Sequence, residues 1–378
     1  IGTLTLVSRR TGAGNEEGAD RAARQGLLFA LALSLVIAVA GQLTAPYVAV
    51  LMKMEPAVAA ESTRYLRVLF LGMPFLFLFP TIEAVFRARG DTRTPLFLQI
   101  IAVGTNILGN YLAARVFHGG VSEIALATIA SRLVVVAIGF WWLRGGRVGL
   151  KLVRHPGPLV DLPLWKRLCV VSAPVALRTA LFGFIYQVVS GITGAYGTPA
   201  QYGLGVGIRV EGMFFFILVG FGLAAGPLVG QNLGAGRPER ASRAAWTTVS
   251  LAMAPALLFT GLFFFQSEAF MRLFATDETT IRHGSEYLRI VSLCFVFLNL
   301  EVVLANAFVG AGDTIPPMLV DVPLTALRIP LSLFLARSLD MGVHGVWWAI
   351  SLTAVARGIG MTLLFMRGKW QRARPDLD

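Results

Sequence analysis

The chain has 378 residues, of which 56% are hydrophobic and only 14% charged, with a mean hydropathy of +0.69; that balance excludes an ordinary soluble domain. A net charge of +12 would point to nucleic acid in a soluble protein, but here the basic residues sit in alternate loops between apolar runs. Alternating ten-residue strand patterns are absent, which excludes an outer-membrane barrel and leaves a bundle of membrane-spanning helices.

In chain order, the sequence opens inside an apolar segment that ends at Val7, so we expect the given sequence to lack a first helix and most of a second. Ten spans follow, at 26–52, 63–88, 94–117, 121–143, 168–196, 202–233, 244–266, 286–310, 315–338 and 342–366. Each is long enough for a ~30 Å hydrocarbon core, which takes about 20 helical residues. Arg9, Arg10, Arg21 and Arg24 precede the first span, and Arg87, Arg89 and Arg93 follow the second. Arg144, Arg147, Lys151, Arg154, Lys166 and Arg167 fill the central connection; Arg237, Arg240 and Arg243 come next, and Arg367, Lys369, Arg372 and Arg374 close the chain. Basic loops that alternate with poorer ones place the basic side in the cytoplasm. Cys169 and Cys294 lie in apolar runs and are expected to be buried, unpaired thiols.

The chain is written twice, 222 residues apart. Gly12-Ala13-Gly14 recurs as Gly234-Ala235-Gly236, Tyr65-Leu66-Arg67 as Tyr287-Leu288-Arg289, Gly90-Asp91-Thr92 as Gly312-Asp313-Thr314, and Gly120-Val121 as Gly342-Val343. A constant offset over more than a hundred residues marks a duplicated architecture, which in a membrane chain is the mark of a transporter. We expect an all-α integral membrane fold of two six-helix lobes related by a parallel pseudo-two-fold repeat. An N-terminal lobe over 1–150, a cytoplasmic linker over 151–167 with Pro156, Pro158 and Pro163 around it, a C-terminal lobe over 168–367 and a tail over 368–378 make up the expected domains.

The Gly-Ala-Gly loops lack the Lys-Ser/Thr of a phosphate-binding loop and read as tight turns. In Gly90–Pro95, Thr94 is the expected helix cap with Pro95 in the first turn; a gating contact from Asp91 and Asp313 is the alternative. Ionisable groups within spans are costly and read as functional by default. They are Glu83, Arg132, Arg178, Arg209, Glu211, Glu301, Asp321, Arg328 and Arg357. Asp321 and Arg328 are two turns apart along one helical face, so a structural pairing between them is the alternative to a functional role. Arg178 lies ~15 Å into its span, with Tyr186 and Gln187 two turns on. Asn106 and Asn110 share one helix face. The four histidines, His118, His155, His283 and His344, show no metal-ligand spacing, so no metal, cofactor or catalytic constellation is expected.

These residues resemble the MATE (multidrug and toxic compound extrusion) transporters: a Gly-Ala-Gly loop, Gly-Asp-Thr with a Pro three residues on, and Gly-Val opening the last helix, once per half. The run 228–236, Leu-Val-Gly-Gln-Asn-Leu-Gly-Ala-Gly, is the most specific part. The resemblance implies a secondary antiporter of the inner (plasma) membrane, acting as a monomer on small organic substrates among membrane lipids, which exports organic cations or drugs for protons or sodium. In one branch of the family a polar cation-linked cluster is matched by Asn106 and Thr128, whereas its aspartate is replaced by Asn110. In another branch an acid on the tenth helix lies near Glu301. The expected substrate- or ion-binding residues are therefore Asn106, Asn110, Thr128, Arg178, Tyr186, Gln187 and Glu301. Five arginines against four acids within spans keep an anionic or lipid-linked substrate open as the alternative.

Overall fold

The computed structural model describes residues 1–52, 54–116, 119–149 and 158–373. His118, Lys151, Arg154, His155, Pro156 and Arg374 lie outside the described residues, as does much of the expected linker. The described residues hold no strand and thirteen α-helices: α1 (Gly2–Gly12), α2 (Glu16–Leu51), α3 (Pro56–Leu71), α4 (Met73–Ala88), α5 (Arg93–Tyr111), α6 (Val121–Arg144), α7 (Leu162–Gly194), α8 (Thr198–Gly234), α9 (Pro238–Arg272), α10 (Glu278–Ser292), α11 (Phe295–Ala311), α12 (Ile315–Leu333) and α13 (Val343–Met366). Eight are long and apolar enough to cross a membrane. The pairs α3–α4 and α10–α11, bent by 44° and 60°, bring the number to ten if each is one span.

The duplication is carried into the backbone. Helices α5 and α6 share their bounds with α12 and α13 at the 222-residue offset, and a π-helical turn follows at Leu112–Val116 and again at Phe334–Ser338. Glycines in the left-handed region pair up at the same offset: Gly14 with Gly236, Gly90 with Gly312, Gly146 with Gly368. Each follows a helix in a left-handed backbone conformation that side-chain-bearing residues rarely adopt, the usual reason for a glycine there.

The chain divides into two compact units, Ile1–Leu168 and Cys169–Asp378. The first has its core around Leu6, Phe79, Ile82, Phe86, Leu98 and Val135. The second is centred on Phe263, Tyr287, Phe295 and Trp347, with a further cluster around Phe308 and Phe365. Large apolar side chains such as Val36, Leu43, Phe97, Ile107, Phe216 and Leu319 stay exposed, a surface that lipid tolerates and water does not.

Three sequence expectations are corrected. α7 begins at Leu162, so 162–167 is helix and not linker: Asp161 accepts the Leu164 N–H at 3.2 Å and Pro163 sits in the first turn, where its missing N–H is not needed. α5 is capped by Asp91 and not by Thr94; the Asp91 carboxylate accepts both the Thr94 N–H at 3.0 Å and the Thr94 hydroxyl at 2.6 Å. Cys169 is exposed while Cys294 is buried, because an apolar helix face in this fold can look outward to lipid as well as inward to the core.

Candidate functional site

The second unit contains a cavity of about 420 Å³ walled by α7, α8, α10, α11, α12 and α13. The bend between α10 and α11 aims the first turns of α11 into it, bringing Cys294, Leu298 and Glu301 to the wall. From α7 come Phe182, Tyr186 and Gln187; from α8, Glu211; from α12 and α13, Arg328 and Arg357. The two rings Phe182 and Tyr186 lie 4.7 Å apart, one turn from each other on α7.

The charges are arranged in unlike ways. Arg357 donates through Nη1 to Glu301 Oε1 at 3.0 Å, and both are largely buried. Glu301 Oε2 has no partner. Glu211 accepts from the Tyr287 hydroxyl at 2.5 Å. Arg328, 1% exposed, donates Nε to Thr353 Oγ1 at 3.1 Å and stands over the Tyr186 ring at 5.1 Å, while its Nη1 finds no acceptor. The cavity thus holds two carboxylates and two guanidiniums against an aromatic wall, and its charges balance when all are ionised. The alternative pairing of Asp321 with Arg328 is not formed. Asp321 instead takes Arg178, Nη1 to Oδ2 at 2.7 Å.

Arg178 therefore lies apart from the cavity wall, beside Pro174, Thr314 and Pro317, although Tyr186 and Gln187 on the same helix reach the cavity. Two turns and more of helix separate them, and the ion pair to α12 decides where the guanidinium goes. In the first unit the other expected residues are brought together: Asn106 Nδ2 donates to Thr128 Oγ1 at 3.2 Å, and Asn110 Nδ2 to Asn106 Oδ1 at 3.3 Å. That chain of amides contains no carboxylate. Phe182, Glu211, Arg328 and Arg357 were not selected from sequence. Three of them carry the signal of a charge inside a span; Phe182 carries none, since it is one of 26 phenylalanines in the chain, common throughout its apolar spans.

A sequence model of the MatE family matches residues 1–112 and 174–334. The chain belongs to the MatE family. It is similar to the probable multidrug resistance protein NorM of Thermotoga maritima (25% identity over 98% of this chain and 81% of the relative). It is likewise similar to an FAD transporter of Shewanella oneidensis (23%, 97% and 81%) and to human multidrug and toxin extrusion protein 1 (21%, 88% and 58%). Crystal structures of a MATE protein in straight and bent conformations share the fold, with TM-scores of 0.92 and 0.90 at 19% identity. They cover 99% and 100% of this chain and, in each case, 84% of that chain. This MATE chain is accordingly a multi-pass transporter of the inner (plasma) membrane and not an enzyme, which accords with the duplicated helical architecture. The cavity of its second unit brings titratable groups, aromatic rings and unmet hydrogen-bonding atoms together.

Proposed function

We propose that the chain is a secondary antiporter exporting small organic cations and drugs in exchange for protons or sodium ions, with Glu301 as the coupling acid. The observation that carries this reading is the divided state of the Glu301 carboxylate. One oxygen is held by Arg357 and the other is buried without a partner, in a residue that lines the cavity. A buried carboxylate with one open oxygen takes whichever cation reaches it, whether a proton, a sodium ion or the ammonium group of a substrate. Ligands that compete for one charge are mutually exclusive, and mutual exclusion at an alternately exposed site is the requirement for exchange. Phe182 and Tyr186 supply π-faces suited to an organic cation. Relatives named for multidrug resistance support export of drugs, and one named an FAD transporter shows that named substrates differ among them. Asn106, Asn110 and Thr128 are proposed as a second polar set for the coupling ion in the first unit, where amide and hydroxyl oxygens suit a hard cation.

The test is transport in proteoliposomes. Efflux of a fluorescent organic cation is followed under an imposed proton gradient and then under a sodium gradient; the ion that drives it is the coupling ion. Glu301→Gln is expected to reduce gradient-driven transport by at least tenfold and to weaken binding of the cation to the folded, purified variant, because the competed charge is gone. Gradient-driven transport that survives in Glu301→Gln would remove Glu301 from this role.

A further inference from the structure

We infer that Arg328 is an anchor for an oxyanion on the transported molecule, so that the cavity of the second unit selects aromatic compounds bearing an acidic group as well as cations. The inference rests on the transporter reading of the same cavity and adds to it a positive pole and the substrate class that pole would take.

Three observations carry it. Among the described residues no carboxylate forms an ion pair with Arg328: Asp321 pairs with Arg178, Glu301 with Arg357, and Glu211 accepts from the Tyr287 hydroxyl. Arg328 itself is 1% exposed and keeps Nη1 without an acceptor, although a guanidinium in a low-dielectric interior is held at large cost unless its donors are met. A buried group left so calls for a ligand to complete it. The second observation is the platform. Arg328 lies 5.1 Å over Tyr186 and 6.0 Å over Phe182, with Arg357 5.8 Å over Phe182. Arg328, Tyr186 and Phe182 all line the cavity, so the positive group there stands beside aromatic rings of the kind that stack with an aromatic ligand.

The third observation comes from the duplication. Arg328 occupies, at the 222-residue offset, the position of Asn106 in the first unit. Asn106 donates to the hydroxyl of Thr128 on α6, and Arg328 to the hydroxyl of Thr353 on α13. Both halves thus present a polar group at one place on equivalent helices, steadied by a threonine of the next helix. In the second unit that group carries a permanent positive charge with a planar fork, the geometry that matches a carboxylate, phosphate or sulfonate in two parallel hydrogen bonds.

The test uses two probes with one ring and opposite permanent charge, a pyrene sulfonate and a pyrene trimethylammonium, titrated by fluorescence into the purified full chain. The wild type is expected to bind both. Arg328→Gln is expected to weaken the sulfonate by roughly tenfold or more, the scale of one charge-assisted contact, and to leave the trimethylammonium unchanged or tighter. Arg328→Lys keeps the charge and restores part of the sulfonate binding. Glu211→Gln keeps Arg328 intact and removes a competing negative charge, so it is expected to tighten the sulfonate several-fold. Unchanged sulfonate affinity in Arg328→Gln, or equal weakening of both probes, would overturn the inference. So would a Glu211→Gln variant with no effect on sulfonate, an arm that stands even where Arg328→Gln fails to fold. These are binding measurements without a gradient, so they separate the anchor from the coupling reaction. Loss of gradient-driven cation transport with the charge-selective pattern intact would overturn the antiporter reading alone.

Discussion

Asp91 and Asp313 stand in the same Gly-Asp-Thr motif and meet opposite surroundings. Asp91 caps α5 by accepting two hydrogen bonds from Thr94. In the second copy the residue at the place of Thr94 is Pro316, which has neither the N–H nor a hydroxyl to give. Asp313 is therefore half-buried with no cap to accept, and burial pushes its carboxyl above the ordinary aspartate range. A raised folded value means that the fold favours the protonated form, so the contribution of Asp313 is present in acid and is lost as pH rises through that value. We predict that Asp91→Ala lowers stability by about 1 kcal/mol, the usual worth of a cap. Asp313→Asn should raise the melting temperature in detergent at pH 8, the gain shrinking toward pH 4; a melting temperature at or below wild type at pH 8 would contradict this account. A gating contact from either aspartate to a neighbouring loop is not what the structure contains for Asp91, whose carboxylate bonds within its own turn.

At the scale of the element, the bundle depends on close approach where lipid supplies no hydrophobic drive for helices to associate. α8 and α11 meet at Gly226 and Gly310, and a β-carbon on Gly310 would lie 2.0 Å from the Gly226 carbonyl oxygen. Backbone cannot swing aside as a side chain can, so the helices would have to separate. Gly310→Ala is predicted to cost about 1–3 kcal/mol, in the range of overpacked cores, and to lower the melting temperature by several degrees. Gly104→Ala in α5, where a β-carbon meets nothing within 4 Å, is the matched control and should be neutral or slightly stabilising. The bends after Leu71 and near Cys294 fall at matching places in the two copies, and in the second they turn Glu301 toward the cavity. Gln25 does a comparable service in the first unit. Buried on α2, its amide donates to the Leu159 carbonyl at 3.0 Å and accepts from Trp165 Nε1 at 2.9 Å, holding the start of α7 against α2.

For the molecule as a whole, the two copies keep one backbone and have parted in charge. Glu301 answers to Phe79 and Arg328 to Asn106. Where α11 meets α13, Arg357 pairs with Glu301; where α4 meets α6, Arg132 instead lies over the Phe79 ring at 5.1 Å. The polar set of the first unit, Asn106, Asn110 and Thr128, has no group that titrates near neutrality. Proton dependence should accordingly follow the second unit. Asn106→Ala is predicted to change the rate of transport without moving its pH midpoint, whereas Glu301→Gln flattens the profile; a midpoint that shifts by a full unit in Asn106→Ala would place a coupled proton in the first unit.

The sequence by itself determined the class, the spans and the repeat. A hydrocarbon solvent forces every backbone polar group into a helix of about 20 apolar residues, so windows of hydropathy are enough to find the helices, and a duplication without insertions keeps their bounds in step. Charges inside those spans were equally legible as a set, because lipid makes each one costly. Their partners were not. Asp321 and Arg328 are correctly spaced to meet along one helix, yet Asp321 faces Arg178 on α7, 143 residues away, and Arg328 is left to the cavity. Which way a helix is rotated and how deep its neighbour sits decide such pairings, as they decide that Cys169 looks outward and Cys294 inward. Rotation and depth arise from packing between helices distant in the chain, and only the tertiary structure contains them.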